Sequence, residues 1–158
     1  MNNLVGEEVW VALAVGLAAV IPGLVSAMSV HMVGVAAAAV TAEDPKKWSK
    51  LFVLEVIPGT QGFYGFIAGM LLMMGSGLFG GTLKAGVVGA AALVAMVPAI
   101  VQSFTAYYQG KVCLAGVSAM AKRPEAFTPS VIYAVMVETY AILGFITSFL
   151  LLIGLKLF

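Results

Sequence analysis

The segment VWVALAVGLAAVIPGLVSAMSVHMVGVAAAAVTA, residues 9–42, contains no Asp, Glu, Lys or Arg. A helix of this length, rising about 1.5 Å per residue, is longer than the roughly 30 Å of hydrocarbon in a bilayer. Three further apolar stretches follow at 56–83, 85–110 and 126–155, and only Glu138 interrupts the last one. Each stretch exceeds the roughly 20 residues that a transmembrane helix needs. We therefore predict four transmembrane helices.

The composition excludes a water-soluble globular protein. Of the 158 residues, 62% are hydrophobic and 9% are charged, whereas a soluble domain has roughly 25% charged residues. Backbone groups in lipid must pair with one another, which leaves helices or closed barrels, and the apolar stretches lack the strict alternation of barrel strands. We predict an all-α membrane protein without a soluble catalytic domain. The net charge of +1 gives no reason to expect a nucleic-acid partner.

The two halves of the chain align with each other without a gap at an offset of 79 residues. The tripeptide Gly-Phe-Ile occurs at 65–67 and at 144–146, and Pro45, which follows a polar pair, falls on Pro124. A proline at the same place in each half indicates a turn. The repeats would share one orientation, unlike the inverted repeats of many transporters. We expect two duplicated helical hairpins, 1–79 and 80–158.

The charge distribution predicts the orientation in the membrane. Basic residues concentrate in the two polar turns of the hairpins: Lys46, Lys47, Lys50, Lys122 and Arg123. The opposite side has only Lys84 and Lys156, beside Glu7 and Glu8. By the positive-inside rule, the hairpin loops face the cytoplasm and both termini face outward.

Small and bulky side chains are divided between the spans. The first span has small residues on one face, and the third has them near its start: Gly16, Gly23, Ala27 and Gly34, then Gly86, Gly89 and Ala90. Such residues allow close helix approach in lipid. The second and fourth spans carry bulkier residues such as Phe63 and Tyr133. This division predicts inner and outer helix layers, with the taper that a closed ring requires.

Polar side chains share one depth inside the predicted membrane. Glu138 lies among apolar residues, where an ionised carboxylate costs roughly 2.5 to 3.5 kcal/mol and therefore needs a partner, a proton or a function. Gln109 and Glu138 are each roughly 22 Å from the turn between them, and Thr60 and Gln61 are roughly 23 to 25 Å from theirs. All four side chains should therefore lie in one layer.

A proline adds backbone oxygens to this layer. Pro58 precedes Thr60, and a proline inside a helix frees the carbonyl four residues back and bends the helix. Carboxylate, amide, hydroxyl and carbonyl oxygens together make a cage suited to a small hard cation. Tyr64, one turn after Thr60, is on the same helix face and could donate its hydroxyl proton to the carboxylate.

Three segments carry a specific resemblance: IPGTQGFYG at 57–65, QGK at 109–111 and MVETYAILGF at 136–145. They resemble the proteolipid (K or c) subunit of V-type ATPases, in particular the sodium-translocating bacterial kind. The resemblance implies a rotor ring of identical copies in the bacterial plasma membrane, with Glu138 as the ion-carrying carboxylate. It also implies the remaining site residues, which are Thr60, Gln61, Gln109 and the backbone of Ile57 as ligands, with Tyr64 hydrogen-bonded to Glu138.

The same resemblance implies partners and a non-catalytic role. ATP hydrolysis on other subunits would drive rotation, a stator arginine on another chain would discharge Glu138, and a central-stalk subunit would contact the cytoplasmic loops. Sodium needs several oxygens to replace its hydration shell, whereas a proton needs only one desolvated carboxylate. The surplus of oxygen ligands therefore favours Na⁺ as the carried ion, with H⁺ as the alternative.

One competing function also centres on a single membrane carboxylate. A small four-helix proton-coupled exporter of hydrophobic cations would use such a residue, but it needs neither a parallel duplication nor an amide layer.

Three polar residues lie outside the ligand set. We expect Glu55 to pair with Lys111, or both to extend toward water, and His31 to pack or hydrogen-bond within the protein.

Overall fold

The computed structural model describes residues 2–157, and the side chains of 6–157. Residues 2–157 contain six α-helices: α1 (Asn2–Glu43), α2 (Trp48–Val56), α3 (Thr60–Gly75), α4 (Gly89–Gln102), α5 (Thr105–Lys122) and α6 (Phe127–Gly154). Short 3₁₀ turns at Pro45–Lys47, Ile57–Gly59, Leu78–Gly80 and Pro124–Ala126 lie between them. No strand occurs within residues 2–157. The all-α prediction is therefore confirmed.

Four segments are long and apolar enough to cross a membrane, and we call them spans 1 to 4: Gly6–Glu43, Pro45–Gly75, Gly89–Lys122 and Pro124–Gly154. Span 2 consists of α2 and α3, and span 3 consists of α4 and α5. The number of predicted transmembrane helices is therefore confirmed.

The bounds of spans 2 and 3 differ from the predicted apolar stretches. Both helices continue through charged residues toward the turns, because backbone hydrogen bonds form irrespective of side-chain charge and lysine can extend along the helix toward water. Between these spans, Gly77, Gly81 and Gly86 have φ of 87°, 86° and 86°, a left-handed conformation that glycine adopts without steric cost. Gly86 thus belongs to the connecting loop, and its predicted place in the third span was wrong.

The spans pack as a four-cornered bundle in the order 1, 2, 4, 3. Span 1 packs along spans 2 and 3, span 3 also packs along span 4, and α3 contacts α6 across the remaining side. Within residues 2–157, each of the four sides of this bundle has an outer face with no further helix against it, and two opposite sides matter below. We call them edge 1–2, formed by spans 1 and 2, and edge 3–4, formed by spans 3 and 4.

The buried core consists of two apolar clusters. One lies toward the chain termini and includes Ala18, Leu72, Met96 and Leu152. The other lies toward the hairpin turns and includes Val33, Leu54, Cys113, Met120 and Ala134. Along every span, the residues between the two clusters include polar ones. The fold therefore places a polar layer between two apolar halves.

Glycines permit the closest helix contacts within the chain. A Cβ on Gly65 would lie within 3.0 Å of the carbonyl oxygen of Ala18, and one on Gly144 would lie within 3.0 Å of Cβ of Gln102. In span 1, by contrast, an added Cβ at Gly16 or Gly23 would meet no described atom within 4 Å. In span 3, a Cβ on Gly89 would lie within 3.0 Å of Cβ of Trp10, and one on Gly116 within 3.0 Å of Cβ of Ser130. The predicted close approach therefore uses glycines of spans 2, 3 and 4.

Candidate ion-binding site

A break in span 2 supplies the first two oxygens of the site. Pro58 lacks an N–H group, so it cannot continue the α-helical hydrogen-bond ladder, and α2 ends at Val56 before a 3₁₀ turn. The new helix α3 begins at Thr60, whose hydroxyl oxygen lies 3.0 Å from the carbonyl oxygen of Ile57. The break thus brings a backbone carbonyl and a side-chain hydroxyl together in the polar layer.

Glu138 of α6 receives hydrogen bonds from spans 2 and 3. Gln109 Nε2 donates to its Oε2 over 2.7 Å, and the Thr60 hydroxyl lies 2.8 Å from the same oxygen. Gln61 Nε2 is 3.4 Å from Oε2. The hydroxyl of Tyr64 donates to the other oxygen, Oε1, over 2.5 Å. Both carboxylate oxygens of Glu138 therefore have hydrogen-bond donors from the protein.

The two glutamines form a buried amide pair. Gln61 is 1% exposed and Gln109 is 0% exposed. Gln61 Nε2 donates to Gln109 Oε1 over 2.8 Å, and Gln109 Nε2 also donates to the carbonyl oxygen of Ala134 over 3.0 Å. Because buried amides without partners are costly, these bonds hold both side chains in fixed orientations. The amide pair closes the inner side of the site.

Tyr64 closes the opposite side. Its ring packs against Phe145 with a centroid separation of 5.8 Å, and its hydroxyl points at Glu138. Both Tyr64 and Glu138 are half-buried, whereas the neighbouring Phe63, Thr139 and Tyr140 are exposed. The carboxylate therefore lies at the outward side of spans 2 and 4, with one face against the protein interior.

Three acceptor oxygens surround the Thr60 hydroxyl. Besides Ile57 O and Glu138 Oε2, the amide oxygen of Gln61 lies 3.3 Å from it. A hydroxyl has one hydrogen, so it can be donated to only one of these acceptors. The remaining contacts bring oxygen toward oxygen, and a small cation among them would relieve the repulsion. Oxygen ligands of these types suit a hard cation.

The structure brings all the predicted site residues into one cluster, which contains Ile57, Thr60, Gln61, Tyr64, Gln109 and Glu138. Two supporting groups are absent from the sequence-based prediction. The Ser26 hydroxyl accepts the Gly62 N–H over 2.8 Å, and this N–H belongs to the first turn of α3, where helical partners are missing. The second group is the Ala134 carbonyl. A serine in an apolar span is a weak signal, and a carbonyl gives none.

Glu55 and Lys111 do not meet within one chain, so the predicted pair does not form there, and extension of both side chains toward water stays a prediction. Within residues 6–157 the one ion pair joins Lys47 to Asp44. The Lys111 ammonium lies 4.5 Å from the centre of the Tyr107 ring, while the Glu55 carboxylate lies against Gly34 of span 1. The physical reason is that packing places them on opposite edges of the bundle. His31 is exposed, so its predicted packing within the chain is not observed.

The chain is similar in sequence to known ATPase and ATP synthase subunits. The sequence profile of the ATP synthase C subunit matches residues 13–72 and 97–151. The chain is 42% identical over 150 residues to the V-type sodium ATPase subunit K of Enterococcus hirae, a match that covers 94% of each chain. It is also 32% identical over 149 residues to the A-type ATP synthase subunit K of Methanocaldococcus jannaschii. That match covers 90% of this chain and 61% of the relative.

These matches extend across all four spans and include both helices that carry Thr60 and Glu138. Both relatives are named subunit K, one of an ATPase and one of an ATP synthase. The chain belongs to the family of ATP synthase C subunits.

Proposed function

We propose that the protein is the K subunit of a V-type ATPase and carries Na⁺ across the membrane on Glu138 as part of a rotor ring. One observation carries this proposal: a single intramembrane carboxylate shares an oxygen cluster with a threonine hydroxyl, a glutamine amide and a backbone carbonyl. The identity of 42% to a sodium ATPase subunit K supports the same assignment.

The site residues have different roles in carrying the ion. Glu138 supplies the negative charge, while Thr60 Oγ1, Gln61 Oε1 and the Ile57 carbonyl oxygen supply neutral ligands that replace water around Na⁺. Gln109 completes the ligand set and orients the carboxylate through its bond of 2.7 Å. Tyr64 holds the second carboxylate oxygen, so that the neutralised site can pass through lipid without exposing a free charge.

Rotation places the carboxylate alternately at an entry path and an exit path on a stator subunit. We propose that an arginine of that subunit displaces the ion from Glu138 and that ATP hydrolysis on other subunits drives the movement. The K subunit itself performs no bond chemistry. Its partners are identical copies of the chain, lipid, the stator subunit, and a central-stalk subunit at the basic hairpin turns.

We further propose that 1–79 and 80–158 are duplicated hairpins. Their elements end at corresponding positions: α1 and α5 end at Glu43 and Lys122, and α3 and α6 end at Gly75 and Gly154. A 3₁₀ turn begins at Pro45 in one half and at Pro124 in the other. The second half retains the carboxylate, whereas Gly59 occupies the equivalent place in the first half.

The competing function, a proton-coupled exporter, is not supported. The two relatives are an ATPase subunit and an ATP synthase subunit, and an exporter would leave the amide pair of Gln61 and Gln109 without a use. Transport of H⁺ by the same carboxylate is the alternative that an experiment must separate from Na⁺ transport, because both ions would compete for Glu138.

Carbodiimide labelling of the assembled membrane complex tests the proposal. The reagent modifies a protonated carboxylic acid, so Na⁺ bound to ionised Glu138 should slow the modification. We expect millimolar Na⁺ to protect Glu138, and the protection to weaken as the pH falls. Gln61→Leu or Gln109→Leu should raise the Na⁺ concentration for half-protection by roughly tenfold, which corresponds to about 1.4 kcal/mol of binding energy.

Gln102→Leu is the matched control, because Gln102 is in span 3 but packs near Gly144, away from the site. Its half-protection concentration should equal that of the unmodified protein. If Na⁺ gives no protection at any pH between about 6 and 9, the site carries protons and the sodium assignment is wrong.

A further inference from the structure

Edge 1–2 of the bundle contains an acidic groove. The groove lies in the half nearer the hairpin turns and is lined by Gly34, Ala37, Thr41, Leu51, Phe52 and Glu55. Glu55 is half-buried and is the one ionisable side chain in this lining. Its carboxylate lies beside Gly34, since a Cβ there would come within 2.7 Å of Oε1. The small residue leaves the carboxylate accessible from the free side of the edge.

Edge 3–4 contains a basic groove. This groove is lined by Lys111, Val112, Ala115, Gly116, Ser130 and Tyr133. Lys111 is exposed and is the one charged side chain in the lining. Small residues flank it, so the bundle offers an open cleft beside a cation. The groove on edge 1–2 and the groove on edge 3–4 therefore carry opposite charges, and their other lining side chains are uncharged.

The two charges lie at nearly the same depth. Measured along the helices from the centres of the two hairpin turns, Glu55 and Lys111 differ by about two residues, which is about 3 Å. The four-carbon stem of a lysine spans such a difference easily. A surface that carried either group alone at this depth would expose an unpaired charge at the border of the apolar stretch 56–83 or 85–110, which is unfavourable in lipid.

Among the side chains of residues 6–157, neither group has an ionic partner in its own chain. The Lys111 ammonium contacts the Tyr107 ring, and the single ion pair of this range is between Lys47 and Asp44. Packing within one chain keeps Glu55 and Lys111 on opposite edges. Each can nevertheless meet its counterpart on another copy if copies associate edge 1–2 against edge 3–4.

We propose that Glu55 of one copy forms an ion pair with Lys111 of the next copy in the ring. This inference rests on the proposed rotor ring. It adds the contact that decides which edge of one copy faces which edge of the next. Because the two edges differ, the association is heterologous, and repetition around an axis closes it into a ring. The opposite charges favour this order of edges over the contact of two identical edges, which would place like charges together.

Cross-linking of the assembled ring tests the pair. In a Cys113→Ala background, Glu55→Cys and Lys111→Cys are combined in one chain, and a short bifunctional thiol reagent is added to the ring in mild detergent. We expect a ladder of covalent dimers, trimers and higher species on a denaturing gel. Each single-cysteine variant should remain monomeric, as should a combination of Glu55→Cys with Gly154→Cys, because Gly154 lies at the far end of the spans.

A charge exchange provides a second measurement. Glu55→Lys alone and Lys111→Glu alone should each lower the temperature at which the ring dissociates, because each places like charges across the interface. The ring of the double variant should dissociate at a temperature close to that of the unmodified ring. Two results would contradict the ion pair without contradicting the ring. One is that the intact ring yields only monomers after cross-linking, and the other is that the double variant dissociates at as low a temperature as the single variants. If native mass spectrometry of the unmodified protein shows no ring, the proposed function fails as well.

Discussion

Glu138 is a carboxyl group inside a membrane span whose two oxygens both have hydrogen-bond donors. Gln109 and Thr60 serve one carboxylate oxygen, and Tyr64 serves the other. Hydrogen bonds to an ionised group are roughly twice as strong as those between neutral groups. An ionised Glu138 would therefore bind these three donors firmly, and it would supply the one formal negative charge of the proposed ligand set.

The substitution Glu138→Gln should reduce ion transport to background. Glutamine keeps the shape and hydrogen-bonding capacity of the side chain, but it cannot carry the charge that binds a cation or exchange a proton. We expect assembly to be largely unchanged. The measurements are Na⁺ uptake driven by ATP in proteoliposomes of the whole complex and native mass spectrometry of the ring.

Glu55→Gln is the matched control, since it removes a carboxylate of span 2 that lies nearer the hairpin turns, outside the oxygen cluster. This variant should transport at a substantial fraction of the wild-type rate, because the Glu55 carboxylate lies against Gly34 rather than in the oxygen cluster. Transport by Glu138→Gln, or equal inactivity of the two variants in intact rings, would contradict the assignment.

Interrupted helices create the site, and glycine contacts keep them in place. Span 2 stops being α-helical at Ile57–Gly59, which turns the Ile57 carbonyl and the Thr60 hydroxyl toward one another. A few residues later, α3 packs so closely on α1 that Gly65 lies against the backbone of Ala18 and the ring of Pro22. The position of Thr60 therefore depends on contacts made by Gly65, more than one helical turn away.

Replacing Gly65 with Ala should separate α3 from α1. The added Cβ would lie within 3.0 Å of a backbone oxygen, which cannot move aside as the end of a flexible side chain can. Overpacking of this kind costs about 1 to 3 kcal/mol. We expect a lower denaturation temperature in detergent, followed by circular dichroism, and weaker Na⁺ protection of Glu138.

Gly154→Ala serves as the comparison, because an added Cβ there meets no described atom within 4 Å. Its denaturation temperature should stay close to that of the unmodified protein. A Gly65→Ala variant as stable as Gly154→Ala would show that the contact between α1 and α3 is not as close as described.

The complete bundle has a polar layer between two apolar clusters and an apolar exterior. Large side chains such as Phe63, Phe66, Tyr133 and Met136 are more than half exposed, as expected for a surface covered by lipid or by further copies. Both hairpin turns lie at one end, where Lys47 donates to the carbonyl oxygen of Ala121 over 3.0 Å. This bond joins the two hairpins directly.

Surface labelling should determine which end faces the cytoplasm. In a Cys113→Ala background, a cysteine at Lys46 or Lys122 should react with a membrane-impermeant thiol reagent only in inverted vesicles. A cysteine at Gly80, in the loop between the hairpins, should react in intact cells. The physical basis is the excess of basic residues in the two turns. The reverse labelling pattern would contradict the proposed orientation.

Much of this protein follows from its amino-acid order, because position along a helix is proportional to residue number. The lengths of the apolar stretches predict four spans, and distance from the turns predicts that Thr60, Gln61, Gln109 and Glu138 share one depth. Each of these depends only on the constant helical rise of about 1.5 Å per residue. The same reasoning predicts that Glu55 and Lys111 lie close to each other in depth.

The direction in which each side chain points around the bundle axis could not be derived in this way. It depends on contacts between residues that are far apart in the sequence. Pro58 indicated a bend, but the orientation of Thr60 depends on how α3 packs against α1. The Ser26 hydroxyl reaches Gly62 only in the packed bundle. Glu55 and Lys111 have nearly equal depth and yet occupy opposite edges, since interhelical packing alone sets the rotation of each helix.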